Sequence, residues 1–487
     1  MTLVRGAAPL VLPLGPVATE AYGRPASSTT RRARESAWCV ALWLAAAAWF
    51  CWLASAASSS GTITGEEASI SLRDPLAILL RWQPSVWSTN VGGAAFYGLA
   101  GWLHPDPGLL SMRPAKALAT ALLAPLVYLV ARRRLGCERP AAVAGAAGVA
   151  LLPGVSTMAW VAIETPLDTV AGAAALFVVT SHRRWWPTGL LLAGLSVSIY
   201  TAGLAWAAVV LLVALARVRS FRAAGAVTAA VAGGTAVVAW PLAWWLNGGV
   251  IVTGGGHGGP DLGALPGHLA ELGRYLAIDG SSYYYFSDAP MLGHWWLAAL
   301  VAGAVVASAA ARWRVLWPWL VLGLASCGLY AVSSGVPGSR RVVALCVVAA
   351  LAVAVALDTL GAVVPIEGQP TYRVMSAVAA VVLVAAATVP SAVAWRADML
   401  DGARALPHDW PLHPDPSGPT ATVDRLDADL RTGRVTVGEV AEQHGGTRIL
   451  AMVWVLHKHD PSPPFPVGEI VEAYWRSGDR CSLDGGC

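Results

Sequence analysis

Long runs of apolar residues follow one another along this chain, at 37–57, 114–130, 141–160, 166–180, 187–216, 223–246, 295–311, 315–332, 342–360 and 374–395. Each approaches or exceeds the roughly 20 residues that a helix needs to cross the hydrocarbon core of a bilayer. The run at 187–216 is too long for one span. Its Ser, Tyr, Thr and Gly residues around Tyr200 to Gly203 divide it into two short helices. Composition agrees, because only 13% of the 487 residues are charged and 56% are hydrophobic. A water-soluble body carries nearer a quarter charged residues, so lipid must be the solvent for most of this chain.

Arginine placement then sets the topology, since basic residues concentrate in the cytoplasmic loops next to span ends. Arg31, Arg32 and Arg34, then Arg132, Arg133, Arg134 and Arg139, then Arg183 and Arg184 share one side. Arg217, Arg219 and Arg222, Arg312 and Arg314, and Arg373 join them only if 187–216 is a hairpin. The pattern therefore predicts an all-α polytopic membrane protein of about eleven transmembrane helices. Its N-terminus is cytoplasmic and its C-terminus extracytoplasmic. The Ala, Arg, Gly and Val bias is that of a high-GC bacterial genome, so the host bilayer is the plasma membrane.

The expected organisation has four parts. Residues 1–36 form a disordered cytoplasmic lead, whose short apolar stretch is broken by Pro13 and Pro16 and lacks the form of a signal peptide. Residues 37–395 form the membrane domain, with long outer loops at 58–113 and 247–293. A proline-rich linker at 396–420 leads to a small extracytoplasmic α/β domain at 421–487. There a helix is predicted over 421–443, a strand over 448–456 and a second helix over 467–476. No internal repeat is visible, which counts against an inverted-repeat transporter.

Carboxylates are scarce near the predicted membrane, so each can be weighed. Glu66 and Glu67 follow Gly65 just beyond the first span. Such a pair serves as a general base, or as a base beside a cation ligand; it also occurs as a solvated pair on a loop. Glu164 and Asp168 lie one helical turn apart where the third span gives way to the fourth, spaced to face the same way. A carboxylate at an apolar helix end needs a partner or water, or it favours the helix N-terminus through the macrodipole. Arg340 and Arg341 sit on the outer side and break the arginine asymmetry. An anionic phosphate at the membrane surface would account for them; so would local acids or lipid headgroups.

Other residues point to less. The histidines His104, His257, His268 and His294 have no metal-ligand spacing, and the Trp pairs at span ends form the ordinary interfacial belt. Of seven cysteines, Cys39, Cys51, Cys327 and Cys346 lie in apolar runs as small hydrophobes. Cys481 and Cys487 in the tail are either a disulfide or two free thiols. Nothing in the sequence points to nucleic acid. No cofactor is indicated, and a divalent metal is left open without support from any spacing.

One span, a long outer loop opening on the acidic pair, about ten further spans and a soluble outer tail together resemble the GT-C glycosyltransferases. The likeness is to the polyprenyl-phosphate-sugar-dependent group of protein mannosyltransferases and the lipid A aminoarabinose transferase. That resemblance implies transfer of a sugar from a polyprenyl-phosphate donor to a glycan, lipid or protein hydroxyl, with inversion. It makes Glu66 the counterpart of the family's catalytic Asp, with Glu67 beside it and Glu164 as a second acid. Arg340 and Arg341 would meet the donor phosphate, while Arg81, Tyr97 and Asp168 would line the site. Two departures stand: the pair begins with Glu, and Ala95-Phe96-Tyr97 occupies the place of the family's proline-rich stretch. The rival classes are a transporter or flippase of a lipid-linked or anionic substrate, and a non-catalytic envelope-assembly protein. A transporter places ionisable residues near mid-span, whereas these acids sit at the outer edge.

Overall fold

The computed structural model describes residues 29–59, 92–93, 96–97, 109–159, 163–181, 183–200, 202–217, 262–278, 289–332, 339–363, 369–400 and 418–441, with Leu450, Val453 and Glu469. Among these residues there is no strand. The helices are α1 Thr29–Ser59, α2 Leu109–Thr120, α3 Leu123–Arg133, α4 Arg139–Leu151, α5 Pro153–Ala159, α6 Leu167–Val179 and α7 Trp186–Ile199. They continue with α8 Gly203–Ala216, α9 Leu265–Ala277, α10 Trp295–Ala331, α11 Ala344–Val363, α12 Gln369–Leu400, α13 Gly418–Arg431 and α14 Val437–Ala441. Short 3-10 turns occupy Arg183–Trp185 and Ser339–Val342.

Five of these helical stretches are long and apolar enough to cross a membrane, or six if the bent pair α4–α5 is one span. The chain is thus a helical, multi-span membrane protein. The total of about eleven spans is not reached among the described residues, and the expected span at 223–246 lies outside them. The run read as one span at 141–160 is bent by 56° between α4 and α5. Pro153 explains the break, because a proline disfavours helical backbone in the residue before it; Leu152 is accordingly extended. α10 contains two of the expected spans, and the backbone at Arg312 between them is non-helical.

Alanine-rich α4 packs against α3, α11 and α12, as small residues allow where lipid gives no hydrophobic push between helices. α6, α7 and α8 form the predicted hairpin arrangement. At one end the Trp186 indole and the Arg217 guanidinium both donate to Val179 O, each at 3.1 Å. At the other, Ser196 Oγ donates to Asp168 O at 2.7 Å. α7 therefore runs antiparallel to α6, and α8 returns parallel to it. Gly172 of α6 lets the Trp206 ring of α8 lie on its backbone; a Cβ there would fall 2.2 Å from Trp206 Cγ. Trp206 is fully buried, edge-on to Trp319. Gly172→Ala is expected to lower stability by about 2 kcal/mol, seen as an earlier thermal transition in detergent.

The arginines gather at one end of this bundle, as their spacing requires. Glu35 accepts from the Tyr128 hydroxyl at 2.8 Å and lies 3.7 Å from Arg132 and 3.4 Å from Arg139. Arg312 bonds Asp358 at 2.5 Å and Leu135 O at 2.9 Å, and Arg373 bonds Glu138 at 2.5 Å. Arg134 covers the Phe177 ring and donates to Ser181. α1 begins at Thr29, so residues 29–36 of the expected disordered lead are helical.

In the tail, the helix expected over 421–443 is divided. Gly433, at φ +65°, ends α13, the usual left-handed helix stop. Thr436 then caps α14, its N–H and hydroxyl bonding Glu439 at 2.8 and 2.9 Å. Those bonds hold the Glu439 carboxyl below its usual range. Within the expected strand at 448–456, Leu450 and Val453 are described, and both are helical and buried. Their spacing of three is that of one helix face. The remainder of the expected α/β domain lies outside the described residues.

Candidate functional site

The end of the bundle opposite the arginines is where charge enters the interior. Its centre is the turn from Ile163 to Asp168, which passes through a cis Thr165–Pro166 bond into α6. Glu164 is 3% exposed and Asp168 1% exposed. Both sequence-predicted acids therefore occupy the same buried turn. Asp168 lies in the first turn of α6, yet the helix N-cap is Pro166 and carries no side-chain cap bond. The Asp168 carboxylate takes the backbone N–H groups of Asp168 and Thr169. Its Oδ1 is buried with no hydrogen-bond partner among the described residues.

Two cationic side chains enter from α2. Arg113 is 2% exposed and Lys116 is fully buried; three residues apart, they share a helix face. Lys116 Nζ donates to the carbonyls of both Ile163 and Thr165, the residues on either side of Glu164. Lys116 and Glu164 are charged groups within electrostatic reach of Asp168. Sequence reading passed over Lys116. Its signal was there, since it is one of only two lysines in the chain and stands in an apolar run.

The residues at 92–93 and 96–97 contribute a wall. Tyr97 is fully buried, and its hydroxyl donates to Ile163 O at 2.5 Å. It braces the acidic turn. Phe96 stacks edge-on against Tyr97. Gly93 lies flat against Glu164, where a Cβ would fall 2.4 Å from Glu164 Cγ. Gly93→Ala is therefore expected to push the Glu164 side chain from its place. The check is thermal unfolding in detergent, where the overpacked variant is expected to lose about 1–2 kcal/mol.

A second group shares this end. The Ser339–Val342 turn packs beside α5, which leads towards the acidic turn. Arg341 is half-buried and within electrostatic reach of Tyr330, whose buried hydroxyl has no hydrogen-bond partner among the described residues. Tyr275 of α9 lies edge-on to Tyr330 and donates to Glu271 at 2.7 Å. Burial, then the Glu271 bond, pushes the Tyr275 phenol well above its usual range. The Arg340 side chain, and Glu66, Glu67 and Arg81 altogether, lie outside the described residues. So the structure brings Tyr97, Glu164 and Asp168 together and puts Arg341 at the same end of the bundle. No group of three or more metal-ligating side chains occurs among the described residues.

Chemically, this end offers buried carboxylates beside fixed cations, an arrangement suited to taking a proton and steadying an anion. No protein-family model matches the chain, and no curated protein matches it. Among solved structures it is similar to ArnT from Cupriavidus metallidurans, at 16% identity and a TM-score of 0.46, over 92% of this chain and 77% of that one. It is also similar to the oligosaccharyltransferase AglB from Archaeoglobus fulgidus in complex with an inhibitory peptide and a dolichol-phosphate. There the identity is 13% and the TM-score 0.42, over 74% of this chain and 56% of that one. The chain thus spans little more than half the length of the archaeal enzyme. Likeness at this level assigns no residue and no activity.

Proposed function

We propose that this protein is a membrane glycosyltransferase that moves a sugar from a polyprenyl-phosphate donor to an acceptor hydroxyl on the extracytoplasmic side. The observation that carries the reading is the burial of Glu164 and Asp168 with Lys116 at the end of the bundle away from the arginines. If the arginine end is cytoplasmic, this chemistry faces outward, where a flipped lipid-linked sugar presents its phosphate. Ionisable residues at a span end suit an enzyme working at the bilayer surface better than a transporter with a mid-span site.

In the proposed reaction the acceptor oxygen attacks the anomeric carbon from the face opposite the phosphate. The new C–O bond forms as the bond to phosphate oxygen breaks, so the anomeric centre inverts. A carboxylate takes the acceptor proton, and polyprenyl phosphate leaves with the electron pair. Glu66 is assigned as the base with Glu67 beside it, Glu164 as the second acid, and Arg340 and Arg341 as the partners of the phosphate. Arg81 and Asp168 are assigned to the wall of the site.

The test is sugar release from a panel of polyprenyl-phosphate sugars by the full chain in lipid nanodiscs, with crude envelope extract as acceptor. Wild type is run beside Glu66→Gln, Glu67→Gln and Arg340→Ala. Acceptor-dependent release that disappears in a Glu variant supports the transferase and names the donor. Absence of both release and donor binding across the panel overturns it.

A further inference from the structure

We propose that Lys116 is a positioning residue of this site, its ammonium fixing the Ile163–Asp168 turn so that Glu164 and Asp168 are held in register. The proposal rests on the transferase reading for its chemistry, but its geometry is independent of it. A fully buried lysine is costly unless its charge and its donors are both answered. Here the carbonyls of Ile163 and Thr165 take two of its donors, and Asp168 is within reach of its charge. Because Glu164 lies between the two bonded carbonyls in sequence, its backbone is fixed on both sides.

The Ile163 carbonyl also accepts the Tyr97 hydroxyl, using both of its lone pairs. Three separate pieces of chain, the 92–97 segment, α2 and the turn, are thereby tied at one oxygen atom. A compact ammonium suits this place. The planar fork of arginine is shaped for a carboxylate or phosphate and does not converge on two carbonyls flanking a single residue. That distinction gives a reason for lysine here in a chain whose other basic residues are arginine save Lys458.

The experiment compares wild type, Lys116→Met and Lys116→Arg in nanodiscs by two readouts. The first is amide hydrogen exchange. In Lys116→Met, exchange across 163–168 should rise at least about tenfold as the turn opens locally, while α11 amides stay unchanged. The second is the steady-state kinetics of sugar release with the active donor. Lys116→Met should lower kcat about a hundredfold with KM little changed. Lys116→Arg, which keeps the charge but not the compact ammonium, should recover only part of the lost kcat.

Unchanged exchange across 163–168 in Lys116→Met overturns the proposal. So does a rise in KM with kcat unchanged, since that would make Lys116 a substrate contact and not a positioning residue. A wild type that turns over no donor counts against the transferase reading alone; the exchange readout then decides whether Lys116 fixes the turn.

Discussion

Glu164→Gln is expected to reduce sugar release by about a hundredfold or more, the range of a positioned acid or base. The amide keeps the length and volume of the side chain, so its packing against Gly93 survives. What is lost is the negative charge and the ability to hold a proton. Lys116 and Tyr97 also donate to backbone carbonyls, and those bonds do not run through the Glu164 carboxylate. Thermal unfolding in detergent should therefore stay within a few degrees of wild type, which separates a chemical loss from a folding one. Asp168→Asn should cost less activity, because its carboxylate is already engaged by the N–H groups that open α6. Unaltered turnover in Glu164→Gln would remove this acid from the chemistry and leave the Glu66–Glu67 pair to account for it.

Apolar run length and arginine asymmetry made the bundle legible because both are imposed by the bilayer on every span. The hairpin at Tyr200–Gly203 followed from the length of the run, its polar break and the charges, and the bonds of Ser196 and Arg217 to α6 show the same path. Glu164 and Asp168 were legible because an acid beside an apolar run is rare. Lys116 was not, because a basic residue near a span start reads as a snorkelling side chain until the chain that covers it is known. That cover comes from the turn at 163–168 and from Tyr97, both distant in sequence. The bend at Leu152 was hidden for another reason: the apolar run continues through Pro153, and hydropathy does not register a change of direction. The expected strand at 448–456 failed where it can be seen because Leu450 and Val453 fit a helix face as well as a strand. A short apolar run does not choose between the two without its neighbours.

Asp358→Ala is expected to be the most damaging single change away from the candidate site, destabilising the protein by about 3 kcal/mol. Asp358 is 8% exposed and serves two elements at once. It accepts from Arg312 at 2.5 Å and from the Glu138 N–H, where α4 begins, at 2.6 Å. Arg312 is also the residue at which α10 breaks, so one carboxylate holds that break against the α3–α4 turn. Removing it leaves a half-buried guanidinium and a helix N–H without their acceptor, which is worse than removing both partners. Arg312→Ala added to Asp358→Ala should therefore cost less than the sum of the two singles, a coupling readable as a double-mutant cycle on thermal unfolding.

Cys137 provides a local reporter in the same turn. It is fully buried, and burial, with the Asp358 carboxylate adding to it, pushes its thiol up to about 12. At pH 7.5, by this account, the thiol is protonated and covered and should resist a maleimide. In Asp358→Ala both effects weaken, and labelling of Cys137, read by peptide mass spectrometry, should accelerate about tenfold as the turn opens locally. Cys346, fully buried in α11, should stay unlabelled in both proteins. If the thermal transition and Cys137 labelling are both unmoved, the Arg312–Asp358 pair does not hold this end of the bundle. The α3–α4 turn would then owe its place to the Arg132 bond to Cys137 O and to the packing of α4.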